Sequence, residues 1–398
     1  MRVALDRLAR RSVAVGSARS STLDLFAICA PGLEHVVAGE LASLGLAPET
    51  GTPGGVSFHG SDDAMWRANL WLRAASRVVA RVGSFRARAL GELERRARAL
   101  PWDRFLAPGC SVTIRVTAHK SRLYHTTAIA DRIASAIAER VSGASTPAST
   151  AERDADDAPG DSHALVIVRV AHDTCLVSAD SSGELLHRRG YRMRTAKAPM
   201  RETLAAAMVL AGQWDARSPL VDPFCGSGTI PIEAALIARR LPPGARRRFA
   251  FESWPGFSPA RWRRVVETAL ESALPASQAS ILASDRDAGA IAAAHDNAER
   301  AGVTGDIAFT QQPIASVTLP DTSGWIVTNP PYGVRVSDRA GARDACAQLG
   351  RLLRAQGHDW RTVVMLADRS LGSVIGRELH SLFRTSNGGI PVDVAANL

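Results

Sequence analysis

The second half of the chain alternates strand-like and helical segments, and this pattern constrains the fold more than any other feature. From Thr203 onward, short apolar runs are separated by longer segments with helical spacing. We predict strands at Leu220–Pro223, Ser280–Ser284, Ile307–Thr310, Trp325–Thr328 and Thr362–Ala367, and helices at Thr229–Arg240, Asp287–Ala301 and Arg343–Ala355. Such alternation is typical of a parallel sheet with helices on both faces. The sequence therefore predicts an α/β, Rossmann-like domain over residues 191–398.

The first half of the chain mixes strands and helices without that regular alternation. Strand-like segments are Leu23–Ala30, Val56–His59, Val78–Phe85 and Ser111–Ala118, and helical ones are Gly32–Leu44, Asp62–Arg77, Leu90–Leu100 and Thr126–Val141. Asp62 or Asp63 is expected to cap its helix. The strand-like residues 163–180 are expected to complete the same domain. We therefore predict an α+β domain over residues 23–190.

Two segments are not expected to fold. Residues 1–22 carry five arginines and have no apolar core of a secretory signal, so we interpret them as a basic, disordered tail. A basic arm that touches nucleic acid is the alternative. Residues 142–163 are acidic and almost free of large apolar side chains. Such a segment cannot bury enough surface to offset chain entropy, which predicts a disordered loop.

Charge and cysteine content narrow the class of protein. The formal net charge is +9, and residues 1–200 hold 27 basic against 20 acidic residues. A cationic surface made of arginine forks suits a polyanionic partner bound by this half. The five cysteines include no CxxC pair, which argues against a disulfide framework or a zinc site. With no apolar run near membrane length, we expect a cytoplasmic protein without a metal.

The first motif is the segment Asp222–Thr229, DPFCGSGT, between a predicted strand and a predicted helix. Its glycines, Gly226 and Gly228, permit a tight turn and close approach of the backbone to a ligand. The helix N-terminus offers free N–H groups, and without a following Lys-Ser/Thr the loop suits one carboxylate better than a triphosphate. Asp285 ends the next strand, where an acid commonly binds ribose hydroxyls. Asp287 is expected to cap the following helix.

The second motif is Asn329-Pro330-Pro331-Tyr332-Gly333, directly after the apolar strand Trp325–Thr328. Pro330 and Pro331 fix φ and remove two donors, which leaves a rigid loop with free carbonyl groups. An exocyclic amine could donate to Asn329 Oδ1 and to the Pro330 carbonyl. Tyr332 offers a ring on which a flipped base stacks. The motif thus predicts a site for the amino group of a nucleic-acid base.

DPFCGSGT followed by NPPYG resembles S-adenosylmethionine-dependent amino-methyltransferases that modify exocyclic amines of bases. Ser182–Leu210 and the N-terminal stretches GLEHVVAGELASLGL, GGVSFHG and RANLWLRAASRV look like the bacterial THUMP-domain guanine-N2 RNA methyltransferases that act on 23S rRNA. The resemblance covers nearly all of residues 24–398. It implies a Rossmann-like class I methyltransferase domain after a ferredoxin-like and THUMP RNA-binding domain, with S-adenosylmethionine as cofactor and RNA as partner.

The same resemblance implies roles for individual residues. Those expected to line the methionine part of the cofactor are Thr203, Asp222, Phe224, Gly226, Gly228 and Thr229, while Asp285 would bind its ribose. Those expected to hold the target guanine are Asn329, Pro330, Pro331 and Tyr332. Pro313 stands where the family usually has an acid near adenine, so Gln312 or backbone would substitute. Candidate RNA phosphate contacts are Lys120, Arg122, Arg188 and Arg189.

Three other activities fit the same residues. A guanine-N2 methyltransferase acting on tRNA needs the same site. Adenine-N6 methyltransferases also use an NPPY loop, because their target is another exocyclic amine. A non-catalytic RNA-binding assembly factor with a decayed methyltransferase domain is favoured by Pro313 but opposed by the intact NPPY and glycine motifs.

Overall fold

The computed structural model describes residues 22–146, 163–192, 200–332, 339–355 and 360–398. The predicted disordered tail falls outside these residues except for residue 22. Most of the predicted acidic loop, residues 147–162, also lies outside them. Residues 142–146, at its start, are described, and Ser145 makes an isolated parallel bridge to Ser111. The tail and the loop therefore remain predictions.

The described strands of the first half form one sheet. The elements in chain order are β1 (Leu23–Cys29), α1 (Glu34–Ser43), β2 (Pro48–Glu49), β3 (Gly55–Gly60), α2 (Asp62–Trp71), β4 (Ala75–Arg86), α3 (Leu90–Arg98), β5 (Ser111–His119), α4 (Thr126–Arg140), β6 (His163–Ala171) and β7 (Thr174–Asp180). The strand order is β2-β3-β1-β4-β7-β6-β5. The long strand β4 pairs with β1 on one side and with β7 on the other, so it joins two parts into a single sheet.

Helix α2 is shorter than predicted, because it ends at Trp71 rather than at Arg77. Its N-cap is Ser61, whose hydroxyl accepts a hydrogen bond from the Ala64 amide, and not Asp62 or Asp63. Beyond the helix, Arg77 lies in β4 and forms a buried ion pair with Asp180 of β7. Apolar spacing alone did not reveal this end, since the strand that follows is equally apolar.

The second half forms the α/β domain that the alternation predicts. Its elements are α5 (Glu202–Ala211), β8 (Leu220–Asp222), α6 (Thr229–Ala238), α7 (Pro259–Glu271), β9 (Ile281–Asp285), α8 (Ala288–Ala301), β10 (Ile307–Gln311), β11 (Trp325–Thr328), α9 (Arg339–Ala355), β12 (Arg361–Leu366), α10 (Ser370–Ile375), β13 (His380–Asn387) and β14 (Ile390–Asn397). The strand order is β10-β9-β8-β11-β12-β14-β13. The strands from β10 to β12 are parallel, and the order reverses direction at β8.

The Rossmann-like α/β class is confirmed, but the sheet is mixed, which corrects the expectation that all of its strands are parallel. Strands β13 and β14 form an antiparallel hairpin, and β14 pairs antiparallel with β12. Neither strand is predicted from the sequence, because the regular helix-strand alternation stops before them. Within the described residues, no helix has the length and apolar character needed to span a membrane.

The first half of the chain packs against α6 of the second half. Arg73, which follows α2, donates hydrogen bonds to the carbonyls of Leu236, in the last turn of this helix, and Leu241, just after it, at 3.3 and 2.6 Å. Arg189 pairs with Glu233 of the same helix at 2.9 Å. Because α6 begins directly after the glycine loop, the first half of the chain supports the helix on which that loop is mounted.

Candidate active site

The two sequence motifs lie side by side at the carboxyl ends of neighbouring parallel strands. Asp222 ends β8, Thr328 ends β11, and the two strands pair in the sheet. The Thr328 hydroxyl donates a hydrogen bond of 2.6 Å to Asp222 Oδ1. This bond joins the residue at which the glycine loop begins to the residue just before the NPPY loop. Ligands of open α/β sheets bind at such a switch point, outside the carboxyl ends of the strands.

The two positions in the first loop are glycine for different structural reasons. Both have positive φ, +53° at Gly226 and +82° at Gly228. A Cβ at Gly228 would lie 2.9 Å from Ala294 Cβ, so this glycine allows α6 to pack closely on α8. A Cβ at Gly226 would meet nothing within 4 Å. Open space beside the Gly226 backbone is what a ligand approaching this loop requires.

Asp285 connects the glycine loop to the next strand. Its Oδ2 accepts a hydrogen bond from the Gly226 amide and its Oδ1 accepts one from the Asp287 amide, both at 3.0 Å. The carboxylate is partly exposed and keeps lone pairs for a further donor such as a ribose hydroxyl. Asp287 caps α8 as predicted, since its side chain accepts from the Gly289 and Ala290 amides.

The other predicted cofactor residues lie around this loop or beneath it. The Gln312 amide donates to the Asp285 carbonyl at 3.0 Å, which brings Gln312 next to Asp285. Phe224 is half-buried, and its amide donates to Asp222 Oδ1 at 3.2 Å. Thr203 lies buried in the first turn of α5, and Thr229 lies buried at the start of α6.

Asp222 is buried, and burial raises the pKa of its carboxyl group to about 7. The hydrogen bonds from the Thr328 hydroxyl and the Phe224 amide oppose that shift, while the nearby charge of Asp285 adds to it. Asp222 therefore sits below the loop as a carboxyl group that changes protonation near neutral pH.

The NPPY loop presents a buried acceptor. Asn329 Oδ1 is buried without a hydrogen-bond partner in the part of the chain that the structure describes. A buried amide carbonyl with no donor costs roughly 1–3 kcal/mol, so an incoming donor gains by filling it. Pro330 is buried and Pro331 is exposed, which leaves the loop with one face toward the interior and one toward solvent.

The Tyr332 side chain is held by its hydroxyl. This oxygen accepts a hydrogen bond from Asn387 Nδ2 at 2.9 Å, donates to Met365 Sδ, and is also hydrogen-bonded by the Asn329 side chain. Burial raises the pKa of Tyr332 to about 12, so the phenol stays neutral. The ring is half-buried, and its orientation is fixed by the C-terminal hairpin as well as by its own loop.

Sequence reasoning missed two residues of this site. Thr328 appeared only as the last residue of an apolar strand, and Asn387 stands before Gly388-Gly389, where an Asn-Gly pair indicates no more than a turn. No local pattern connects Asn387 with Tyr332, because the two are 55 positions apart along the chain.

One predicted RNA contact is wrong. The Arg189 side chain is 2% exposed, and besides its ion pair with Glu233 it donates to the Arg73 carbonyl at 2.8 Å. It therefore lies between the two halves of the chain and is not available to phosphate. Lys120, Arg122 and Arg188 are exposed, with Arg188 3.3 Å from Glu184, and their contact with RNA remains a prediction.

S-adenosylmethionine, the cofactor implied by the resemblance, is compatible with these residues. The open space at Gly226 accommodates a ligand against the loop, and the partly exposed Asp285 carboxylate can accept from ribose. Asn329 Oδ1, for which the described residues offer no donor, lies on the neighbouring loop, where a methyl acceptor is needed. The site thus has separate places for a nucleoside-bearing cofactor and for an amine.

Comparison with family models divides the chain into three matching segments. Residues 24–79 match an RlmL ferredoxin-like domain, residues 87–180 match a THUMP domain, and residues 189–395 match an RMKL-like methyltransferase domain. These matches agree with the predicted order of a ferredoxin-like and THUMP domain before a methyltransferase domain.

Individual proteins match over nearly the whole chain. A Bacillus subtilis protein named "Putative RNA methyltransferase YpsC" is 34% identical over 93% of this chain and 94% of its own. The ribosomal RNA large subunit methyltransferase K/L of Marinobacter nauticus is 32% identical over 93% of this chain, which spans 52% of that longer protein. The crystal structure of SMU.472, "a putative methyltransferase complexed with SAH", aligns with a TM-score of 0.82 at 30% identity, covering 94% of this chain and 97% of that one.

Proposed function

The chain belongs to the THUMP-containing, RMKL-like family of methyltransferases, and we propose from this that it transfers a methyl group from S-adenosylmethionine to the N2 amine of a guanosine in RNA. The relative crystallised with SAH supports the cofactor, since SAH is what remains of S-adenosylmethionine after methyl transfer. The K/L relative is named for large-subunit ribosomal RNA, which supports 23S rRNA as the RNA.

The observation that carries the proposed chemistry is the buried Oδ1 of Asn329, which has no hydrogen-bond partner among the described residues. An exocyclic amine is the donor that this acceptor lacks, and we assign the second acceptor to the Pro330 carbonyl. Guanine N2 is a poor nucleophile because its lone pair is delocalised into the ring. Two carbonyl acceptors on its hydrogens would favour a pyramidal nitrogen as positive charge develops there.

The residues of the chain need only bind the cofactor and the target base and align their reacting atoms. S-adenosylmethionine supplies a methyl group that its sulfonium already activates, so little acid-base chemistry is asked of the protein. Asp285 and the glycine loop would fix the donor on one side, while Asn329 and Tyr332 would fix the base on the other. Because the two loops are joined through Asp222 and Thr328, the reacting groups would be held in line by one rigid unit.

We propose residues 23–190 as the RNA-anchoring domain and residues 191–398 as the catalytic domain. The excess of basic residues in the first half supports this division, because contacts of arginine and lysine with phosphate dominate RNA affinity. The contacts of Arg73 and Arg189 with α6 support this division, because the anchor would then lie behind the helix that follows the glycine loop.

Mass spectrometry of nucleosides from separated rRNA and tRNA of a deletion strain tests the proposal. We expect the deletion to lose N2-methylguanosine from 23S rRNA, and the wild-type chain, but not the Asn329→Ala variant, to restore it. A loss confined to tRNA would reassign the RNA, and a loss of N6-methyladenosine would reassign the base. Unchanged nucleosides together with no S-adenosylmethionine binding by calorimetry would indicate a non-catalytic factor.

A further inference from the structure

The connection from β5 to α4 carries an exposed aromatic side chain. Tyr124 is 66% exposed, and the only other large hydrophobic residues strongly exposed in the described part of the chain are Leu270 and the terminal Leu398. The imidazole of His125 lies against the Tyr124 ring, with 4.1 Å between ring centroids and a tilt of 39°. The imidazole thus lies against one side of the Tyr124 ring, and about two thirds of the Tyr124 surface stays exposed among the described residues.

This connection is fixed rather than loose. The Arg122 amide donates to Asp173 Oδ1 at 2.9 Å, and the Asp173 amide donates to Ser121 Oγ at 2.8 Å. Asp173 belongs to the two-residue turn between β6 and β7, so the turn and the connection hold each other. Lys120 also adopts a positive φ of 47°, which few non-glycine residues do. The chain thus keeps the segment before Tyr124 in a specific shape.

The surroundings of the two rings are basic. Lys120 and Arg122, which precede the rings in the same connection, are both exposed, and His119 at its start lies edge to face with His172, with centroids 6.4 Å apart. The nearby acid, Asp173, already accepts from the Arg122 amide and, at 3.0 Å, from Arg88 Nε. Its carboxylate is used to hold the loop and leaves the Lys120 ammonium group available to a bound anion.

We propose that Tyr124 and His125 form a stacking surface for an unpaired RNA base, and that Lys120 and Arg122 contact the flanking phosphates. This rests on the proposed function, which makes RNA the substrate, and it specifies the form of RNA that the N-terminal half binds. Proteins recognise unpaired bases by stacking them on aromatic rings, with basic side chains along the backbone. A base inside a duplex has both faces covered and cannot stack on an exposed tyrosine.

Two fluorescein-labelled probes test the proposal with the full-length protein: a single-stranded oligouridine, and an RNA duplex of equal length. Tyr124→Ala should weaken binding of the single strand about 5- to 150-fold, the range found for loss of one stacked base. Binding of the duplex should stay unchanged, and Tyr124→Phe should bind both probes like the wild type. Leu270→Ala is the matched control, because it removes an exposed apolar side chain from α7.

A cross-linking experiment gives an independent answer. Irradiation of a thiouridine-substituted single strand should attach it to Tyr124 or His125, as read by mass spectrometry of the peptides. Equal single-strand affinity of Tyr124→Ala and wild type, or an equal loss with both probes, would overturn the stacking surface. Neither assay involves methyl transfer or cofactor, so a failed nucleoside analysis and a failed stacking assay are read separately.

Discussion

The side-chain amide of Asn387 donates a hydrogen bond of 2.9 Å to the hydroxyl of Tyr332, so the hairpin that ends the chain supports the loop proposed to hold the target base. Asn387 is buried and lies at the last position of β13. Positioning of Tyr332 is therefore shared between two parts of the chain that are remote in sequence.

A double-mutant cycle tests the role of this contact in positioning Tyr332. Asn387→Ala and Tyr332→Phe should each slow single-turnover methylation, because each removes the bond that orients the Tyr332 ring. If Asn387 acts through the hydroxyl, the double variant should be no slower than Tyr332→Phe alone, with a coupling energy of about 0.5–3 kcal/mol. Effects that simply add would mean that Asn387 serves the fold and not the loop.

Asn329→Ala should lower single-turnover methylation about 10²- to 10³-fold, the range for one preorganised polar group that acts in the transition state. Cofactor affinity should barely change, since Asp285 and the glycine loop are untouched. Calorimetry with S-adenosylmethionine on the same preparation is the control. Turnover near that of the wild type would contradict the role of the unpartnered Oδ1 as acceptor.

Asp285→Ala should weaken S-adenosylmethionine binding by about 1–3 kcal/mol, because charged hydrogen bonds to ribose and the bond to the Gly226 amide are both lost. Asp287→Asn is the matched control: it changes the acid two positions on but keeps a side chain able to cap α8. Calorimetric dissociation constants decide the matter, and equal constants for Asp285→Ala and wild type would remove Asp285 from the cofactor site.

Asp222 predicts a pH-dependent difference in stability. Its folded-state pKa of about 7 lies above the ordinary value of 3.8 for an aspartate, so the folded protein holds a proton there that the unfolded chain releases. The contribution of Asp222 to stability is therefore greatest below the unfolded pKa and falls as pH rises toward 7, by up to about 4 kcal/mol. Asp222→Asn lacks this proton exchange.

Urea unfolding of wild type and Asp222→Asn at several pH values between 4 and 8 measures this difference, since other buried acids contribute equally to both proteins. Relative to wild type, the variant should gain stability as pH rises through this window. A difference that is constant with pH would show that Asp222 is ionised throughout.

Arg189→Ala should lower the free energy of unfolding by about 3–5 kcal/mol, because the buried Glu233 loses its closer cation and keeps only Arg73, at 3.9 Å. RNA affinity per folded molecule should not change. Arg188→Ala is the neighbouring control: its side chain is exposed beside Glu184, and its removal should cost less than about 1 kcal/mol. Equal destabilisation by the two variants would contradict the distinction drawn from burial.

The type and order of most elements could be predicted because local spacing encodes them. The strand Trp325–Thr328 was predicted to the residue, and each bound of β9, α8 and β10 lies within one residue of its prediction. The chemistry of the glycine and NPPY motifs could likewise be predicted from local sequence, since φ restrictions and side-chain acceptors belong to individual residues. The mixed sheet was not predicted, because β13 and β14 follow no helix-strand alternation.

Burial and long-range partners were decided only by the tertiary structure. Arg188 and Arg189 are adjacent and chemically identical, yet one is exposed and the other lies against Glu233, because residues 44 positions further along fold beneath it. Asp222 and Asp285 are both acids at strand ends, but burial raises the pKa of Asp222 to about 7 while Asp285 stays partly exposed. Local sequence determines which groups a residue carries, whereas desolvation and hydrogen-bond partners depend on which distant segments the fold places around it.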